Sequence, residues 1–175
     1  IIRVNLSDFK RAGSITLVPG EGFIRSAVID VARGFAYFGM NTSPGRIVKI
    51  NLSDFRRVDN LTLAAQEDNL TSAVIDNRNG FAYFGTNTQP GRVIKVNLSA
   101  PNMTSARVSA LTLNAGEDNL TSAVIDTENG YAYFGGFTNP GIIIKINLSD
   151  FSRVGNLTLG RLDLGAAVID TAKQF

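Results

Sequence analysis

One 14-residue block occurs three times along the chain, and this repetition restricts the possible folds more than any other feature of the sequence. The copies are SAVIDVARGFAYFG at 26–39, SAVIDNRNGFAYFG at 72–85 and SAVIDTENGYAYFG at 122–135, with a partial copy, AAVID, at 166–170. Adjacent full copies are identical at 11 of 14 positions. A second block, NLSDF or NLSAP, begins at Asn5, Asn51, Asn97 and Asn147, at spacings of 46, 46 and 50 residues. These spacings predict a tandem array of about four equivalent units.

Each unit has the pattern of four short β-strands separated by turn residues, and no segment shows helical periodicity. Around the second unit the predicted strands are 57–63, 71–75, 81–86 and 92–98. The strand FAYFG is apolar on both faces, which is typical of a sheet packed between two others. The sequence therefore predicts an all-β array of four-stranded antiparallel blades, as in a β-propeller.

The period, the four strands, the Asp-x-x-x-Gly turn and the AYFG strand together resemble the YVTN/NHL-type superfamily of β-propeller repeats. The resemblance covers essentially the whole chain and implies propeller blades. It implies no particular activity, because propellers host unrelated functions. The WD-repeat signature is absent, since the chain has no Trp and no Gly-His pair.

The unit boundaries follow from the phase of the repeat. We expect strands three and four of a partial blade at 1–20, complete blades at 21–66, 67–116 and 117–162, and the start of a further blade at 163–175. An insertion around Pro101 to Thr104 lengthens one interval. Because the chain opens in strand three and strand two would begin at Phe175, we expect a segment of a larger propeller or open array. A closed four-bladed ring is the alternative.

Asn-x-Ser/Thr sequons are unusually dense. They lie at Asn5, Asn41, Asn51, Asn60, Asn69, Asn97, Asn102, Asn119, Asn147 and Asn156. Four of them, Asn5, Asn51, Asn97 and Asn147, occupy the same position in successive units, which we call a repeat column, and they count as a single observation. Asn102, in contrast, lies in the insertion that only one unit contains. Because a sequon is an acceptor only in the secretory route, this density predicts an extracellular or cell-surface glycoprotein.

Several functional classes are excluded or disfavoured by composition. The chain has no Cys and no His, so it lacks the thiol nucleophile, the commonest general base and the commonest zinc ligands. The net charge is +2 and no run of Lys or Arg reaches three, so nucleic acid is not an expected partner. No apolar stretch approaches the roughly 18 residues needed to span a bilayer. We expect no catalytic, metal or cofactor site.

The acidic residues that recur before strand one are Glu21, Glu67 and Glu117, with Asp68 and Asp118 beside two of them. In a propeller they would form a partial ring on one rim, but calcium needs six to eight oxygen ligands. We therefore interpret them as solvated turn residues. A second acidic column, Asp30, Asp76, Asp126 and Asp170, ends strand one, where a carboxylate caps the following turn.

The recurring basic and aromatic residues are expected to have structural roles. Lys49, Lys95 and Lys145, in one column with Arg3, would cover apolar neighbours with their stems while the charge reaches water or a carboxylate. The same role is expected for Arg57, Arg107 and Arg153. Tyr37, Tyr83 and Tyr133 are predicted packing residues with a bonded hydroxyl.

Three functions are compatible with this pattern. The first is a non-enzymatic extracellular repeat glycoprotein with a structural, adhesive or filament-forming role, whose partners are further copies or repeats of itself. The second is a propeller binding module for a glycan, peptide or protein, with variable loops at 101–104 and 160–165. The third, a carboxylate-based glycoside hydrolase, is disfavoured because every unit repeats the same carboxylates.

Overall fold

The computed structural model describes residues 1–160 and 164–172 and is built from small antiparallel sheets. The first sheet, the half-blade, has two strands, β1 (Ile2–Asn5) and β2 (Lys10–Ser14). Its strands contain the residues that the repeat pattern assigns to strands three and four of a unit. Its strands pair from Ile2 opposite Ser14 to Asn5 opposite Lys10.

Three complete blades follow, each with its four strands in sequence order across the sheet. The first blade contains β3 (Ile24–Asp30), β4 (Phe35–Met40), β5 (Arg46–Asn51) and β6 (Arg56–Thr62). The second contains β7 (Leu70–Asp76), β8 (Phe81–Thr86), β9 (Arg92–Asn97) and β10 (Arg107–Thr112). The third contains β11 (Leu120–Asp126), β12 (Tyr131–Gly136), β13 (Ile142–Asn147) and β14 (Ser152–Thr158).

These strands confirm the predicted all-β array of four-stranded antiparallel blades. They fall inside the predicted unit ranges, although the unit boundaries themselves stay a prediction. Residues 164–172 contain no strand. The predicted turn at 160–165 lies partly outside the described residues, and Phe175 lies wholly outside them.

The turn after strand one is built by its terminal aspartate. Asp30 accepts a hydrogen bond at 3.0 Å from the backbone N–H three residues later, and Asp76 and Asp126 do the same at the same distance. The turn ends on a glycine with positive φ, as at Gly80 with φ 72°. The predicted capping role of this column is thereby confirmed for these three blades.

The core consists of layers between successive blades, and strand two contributes to the layer on each of its sides. In the second blade, Ala82 and Phe84 belong to the layer shared with the first blade, whereas Tyr83 belongs to the layer shared with the third. Strand three divides in the same way, with Ile94 on one side and Val93 on the other. Burying a side chain such as Phe84 completely contributes about 1.5–3 kcal/mol.

The insertion is part of this core. It forms a short 3-10 helix, η1 (Met103–Ser105), whose Met103 side chain is buried in the layer between the first and second blades. The backbone N–H of Met103 donates to Oδ2 of Asp59 on β6 at 2.8 Å. The insertion therefore replaces the NLSDF phenylalanine of the other units with another apolar contact to the preceding blade.

The AYFG glycine permits close approach of the next blade. Ser72 donates its hydroxyl to the carbonyl of Leu120 at 2.7 Å, and a Cβ on Gly85 would lie 2.9 Å from Cβ of Leu120 and 3.0 Å from the ring of Phe134. Gly39 meets the equivalent groups of the second blade. Only a residue without a Cβ allows this spacing between blades.

We predict that Gly85→Ala lowers the free energy of unfolding by about 1–3 kcal/mol, because the added methyl group overpacks the layer between the second and third blades. The measurement is urea unfolding followed by circular dichroism. Gly155→Ala is the matched control, since a Cβ there meets nothing within 4 Å. Equal stability of the two variants would contradict this account of blade spacing.

Candidate functional site

The glutamates before strand one are buried, so the interpretation as solvated turn residues is wrong. Glu21, Glu67 and Glu117 are each at most 3% exposed. They pair in the same order with Arg57, Arg107 and Arg153, which lie on or at the start of the outer strand of the same blade. The partner lies 36 to 40 residues away in sequence, and each guanidinium donates two or more hydrogen bonds to its carboxylate. The pairs close the loop that leads from one blade into the next.

The pKa of Glu67 and that of Glu117 reflect opposing effects. Burial alone would raise both pKa values. Hydrogen bonds from Arg107 and from the Ala64 backbone N–H outweigh this for Glu67, and those from Arg153 and the Asn114 N–H do so for Glu117. Both pKa values are consequently lowered from the ordinary value of 4.5.

Because these pKa values are lowered by folding, the ion pairs stabilise the fold fully above the unfolded pKa of about 4.5 and less as pH falls below it. We predict that Glu117→Gln lowers the free energy of unfolding at pH 7 by about 1–3 kcal/mol. The variant should also lose less stability than the wild type between pH 6 and pH 3. Urea titrations across this range measure both effects. Glu128→Gln, in an exposed turn, is the control, and an identical response of the two variants would contradict the role of Glu117.

Each lysine of strand three lies over an aromatic ring from strand two of its own blade. The Nζ atoms of Lys49, Lys95 and Lys145 are 3.9, 4.3 and 3.6 Å from the ring centroids of Phe35, Phe81 and Tyr131. The prediction that the stems cover apolar neighbours omitted this cation–π contact. The signal was available, since an aromatic residue and a lysine recur together in all three units.

The phenylalanine of NLSDF packs against the preceding blade. The ring of Phe151 lies 5.7 Å from the ring of Tyr83 and 5.5 Å from Nζ of Lys95. At the junction between the half-blade and the first blade, the guanidinium of Arg3 lies 4.8 Å from the ring of Phe55. This phenylalanine therefore belongs to the contact between blades rather than to its own sheet.

The tyrosines of strand two are packing residues, but the expected hydroxyl bond is not general. Tyr37 and Tyr83 are buried, and burial raises the pKa of each to about 12. The Tyr37 hydroxyl has no hydrogen-bond partner, so the prediction of a bonded hydroxyl is wrong there. Its ring packs in the layer between the first and second blades, which explains its position without the hydroxyl.

Eight of the ten sequon asparagines have a structural role. In the NLS turns of all four copies, Asn Oδ1 accepts a hydrogen bond from the backbone N–H of the following Ser. Asn69 and Asn119 have φ of 53° and 52°, a conformation that Asn tolerates better than most residues. Asn102 caps η1 and Asn156 donates to Glu117. Most sequons thus have a cause in the fold, and their glycosylation stays a prediction.

The described residues contain no group of three or more His, Cys, Asp or Glu that could hold a metal ion. No helix within 1–160 and 164–172 is long and apolar enough to cross a membrane. A broad groove lies on the side of the third blade that faces away from the second blade.

This free face of the third blade consists of Tyr131, Tyr133, Ile143, Lys145 and Leu157. Each of these residues has counterparts at the same position in the earlier repeat units. In those units, the following blade covers the counterparts. Leu157 is 59% exposed, whereas Leu61 of the same column is 4% exposed against the second blade. Similarly, Tyr83 is buried and Tyr133 is half-buried. The free face therefore has the kind of residues that contact a neighbouring blade elsewhere in the chain.

Residues 164–172 cover the inner part of this surface. Leu164 lies 3.2 Å from the position of a Cβ on Gly135, and its carbonyl accepts a hydrogen bond from Thr121 at 2.5 Å. Leu120 makes the equivalent contacts with Gly85 and Thr71. The segment therefore takes the place of the first strand of a following blade and leaves the outer part of the free face open.

Comparison with known proteins identifies the fold. The sequence matches no protein-family model and no curated protein. Among solved structures, Kuenenia stuttgartiensis hydrazine synthase is similar with a TM-score of 0.77 at 10% identity, covering 91% of this chain and 43% of that chain. The chain folds as β-propeller blades. The WD40 repeats of RRP9 and the structure of U3-55K each give a TM-score of 0.67 at 10% identity and cover 82% of this chain.

The similarity has defined limits. This chain covers 41% and 42% of the RRP9 and U3-55K chains, so it spans less than half the length of each of these three structures. At 10% identity the likeness concerns the fold alone. It supports β-propeller repeats without singling out the YVTN/NHL type that the sequence resembles.

Proposed function

We propose that this propeller segment is a non-enzymatic protein-binding module and that its binding surface is the free face of the third blade. The observation that carries the proposal is the exposure of Leu157 in a column whose first-blade member, Leu61, is buried by a neighbouring sheet. A partner that presents an apolar β-sheet would bury the same columns in the same way.

The chemistry of the free face favours a protein partner over a small substrate. The ammonium of Lys145 lies 3.6 Å and 5.7 Å from the ring centroids of Tyr131 and Tyr133, and apolar Ile143 and Leu157 line the same groove. Aromatic residues are enriched in the centre of protein interfaces, where tyrosine is one of the residues that contribute most to binding. The buried glutamates are paired with arginines in every complete blade, which supports a non-catalytic role for them.

We predict that a photo-reactive amino acid at position 157 cross-links to a defined protein in the cells or secretions that make this chain. The same amino acid at position 108 is the control. Val108 is 49% exposed on the outer strand of the second blade, which is covered on both sides. Mass spectrometry of the adducts identifies the partner. Equal cross-linking at both positions, or none at position 157, would contradict the proposed function.

We further propose an extracellular glycoprotein in which the blades have a structural or adhesive role, and we assign the blades to the YVTN/NHL type on their AYFG strand and Asp-x-x-x-Gly turn. The sequons support the extracellular location. Asn5 and Asn102 are exposed and use the side-chain oxygen in their turns. Glycosylation at the amide nitrogen is therefore compatible with both turns.

We predict that protein from its native source loses mass on enzymatic removal of N-linked glycans, and that Asn102 becomes Asp in the process. Peptide mass spectrometry before and after the treatment measures both changes. Asn77 is an exposed asparagine without a sequon and serves as the internal control. An unchanged mass, with Asn102 unmodified, would contradict the extracellular proposal and leave the binding proposal intact.

A further inference from the structure

We propose that the second blade carries a binding site for a neutral sugar, in a polar groove where the loop that enters this blade meets the loop between β8 and β9. The groove lies on a different surface from the free face of the third blade, so the inference goes beyond the proposed function. Its residues lie at 66–68 and 88–92, in a blade that packs against a complete blade on each side.

The groove has the size of a ligand pocket but an unusually polar lining. Its volume is about 500 Å³, and ligand pockets span roughly 300–1,000 Å³. Such pockets are lined predominantly by apolar side chains. A lining with several charged and amide side chains therefore suits a polar ligand. The lining residues are Gln66, Asp68, Thr88, Gln89, Pro90 and Arg92.

Gln66 has an uncommon backbone conformation at the edge of this groove. Its φ is 68°, and the loops that enter the first and third blades have glycine at this position, Gly20 with φ 85° and Gly116 with φ 86°. Glycine adopts a positive φ without strain, whereas other residues do so at a cost. Residues in such conformations are concentrated at functional sites. The loop that enters the second blade thus accepts local strain at the position where it gains an amide side chain.

The amide of Gln66 is hydrogen-bonded to the cation of the groove. Nη2 of Arg92 donates to Oε1 of Gln66 at 2.6 Å. In the first blade, the equivalent Arg46 donates instead to the backbone carbonyl of Gly20 at 3.2 Å, and the third blade has Ile142 at this position. Of the three complete blades, the second alone combines an amide side chain in its entry loop with this arginine.

A pair of hydroxyl groups fixes the loop between β8 and β9. Thr86 is buried, and neither of the other complete blades has threonine at this position. Its Oγ1 accepts a hydrogen bond from the backbone N–H of Arg92 at 2.9 Å and lies 2.6 Å from Oγ1 of Thr88. Thr88 in turn donates to the carbonyl of Pro90 at 2.8 Å. These bonds hold the backbone of Arg92 in place beside the groove.

Asp68 supplies a carboxylate that its own chain leaves without a full set of partners. The residue lines the groove and is half-buried, and its Oδ1 is buried with no hydrogen-bond partner. A buried oxygen without a donor is destabilising, and each such group requires an explanation. A ligand hydroxyl in the groove can donate to this carboxylate and compensate for the missing bond.

The combined chemistry of the groove fits neighbouring hydroxyl groups. The carboxylate of Asp68 only accepts hydrogen bonds, the guanidinium of Arg92 only donates them, and the amides of Gln66 and Gln89 do both. Because a hydroxyl both donates and accepts, two adjacent sugar hydroxyls can satisfy the carboxylate and the guanidinium together. The charges of Asp68 and Arg92 cancel, so the groove suits a neutral ligand better than a phosphate or a metal ion.

The experiment titrates the isotopically labelled full chain with the methyl glycosides of glucose, galactose, mannose and N-acetylglucosamine, and follows the backbone amide signals by NMR. Gln66→Gly and Arg92→Ile introduce the residues that other blades have at these positions, and Asp68→Asn removes the charge while keeping the shape. Arg46→Ile and Asp118→Asn are the matched controls, because each makes the same change at the same position of a neighbouring blade. Circular dichroism and thermal unfolding establish that each variant is folded.

We expect at least one glycoside to shift the amide signals of residues 66–69 and 87–92, with a dissociation constant in the millimolar range. Each of the three groove variants should weaken this binding at least about fivefold, the effect of losing one hydrogen bond. The two control variants should bind like the wild type. Gln66→Gly should remain folded, because Gly20 and Gly116 adopt the same backbone conformation.

The absence of shifts at these residues with all four glycosides would overturn the inference, and so would shifts that the groove variants leave unchanged. Tighter binding of glycine or inorganic phosphate than of any glycoside would also overturn it, because the ligand would then be charged. The cross-link from position 157 tests a different surface, so failure of the sugar site and failure of the proposed function are separate results.

Discussion

The burial of strand two between two neighbouring sheets is the interaction on which the structure depends. In the second blade, Phe84 faces the preceding sheet and Tyr83 the following one, and both are almost completely buried. The adjoining Gly85 lets the next blade approach closely. A blade without a neighbour exposes this apolar surface to water. Each added blade therefore stabilises the array by burying the apolar face of the blade before it.

The buried polar groups of this array form hydrogen bonds and ion pairs at the junctions between blades. The Arg107–Glu67 pair fixes the loop that enters the second blade, and Gly91 N–H donates to the Glu117 carbonyl across the next junction at 2.8 Å. Because a buried carboxylate without a partner is strongly destabilising, each glutamate requires its arginine. The conspicuous repeated charges are thereby explained by architecture.

Much of the architecture could be predicted because the repeats allow equivalent positions to be compared within one sequence. The strands, the capping aspartates and the two apolar faces of strand two follow from local pattern and period. The burial of Glu67 could not be inferred from its loop, because its partner Arg107 lies 40 residues away. The sequence did contain one indication of this pair, because a glutamate before strand one and an arginine near the start of strand four recur together in all three complete units. The exposure of Leu157 depends on which sheet lies against it, and the local sequence NLTL cannot reveal this, since Leu61 in the same motif is buried.

Amide hydrogen exchange of the three AYFG strands would test blade-on-blade burial most directly. The strands β4, β8 and β12 have nearly the same sequence, so differences in protection report their surroundings rather than intrinsic exchange rates. In dilute solution, we expect β8 to exchange slowest, because it has a full blade on both sides, and β12 to exchange fastest. Equal protection of β8 and β12 would contradict an uncovered third blade and the function proposed for it.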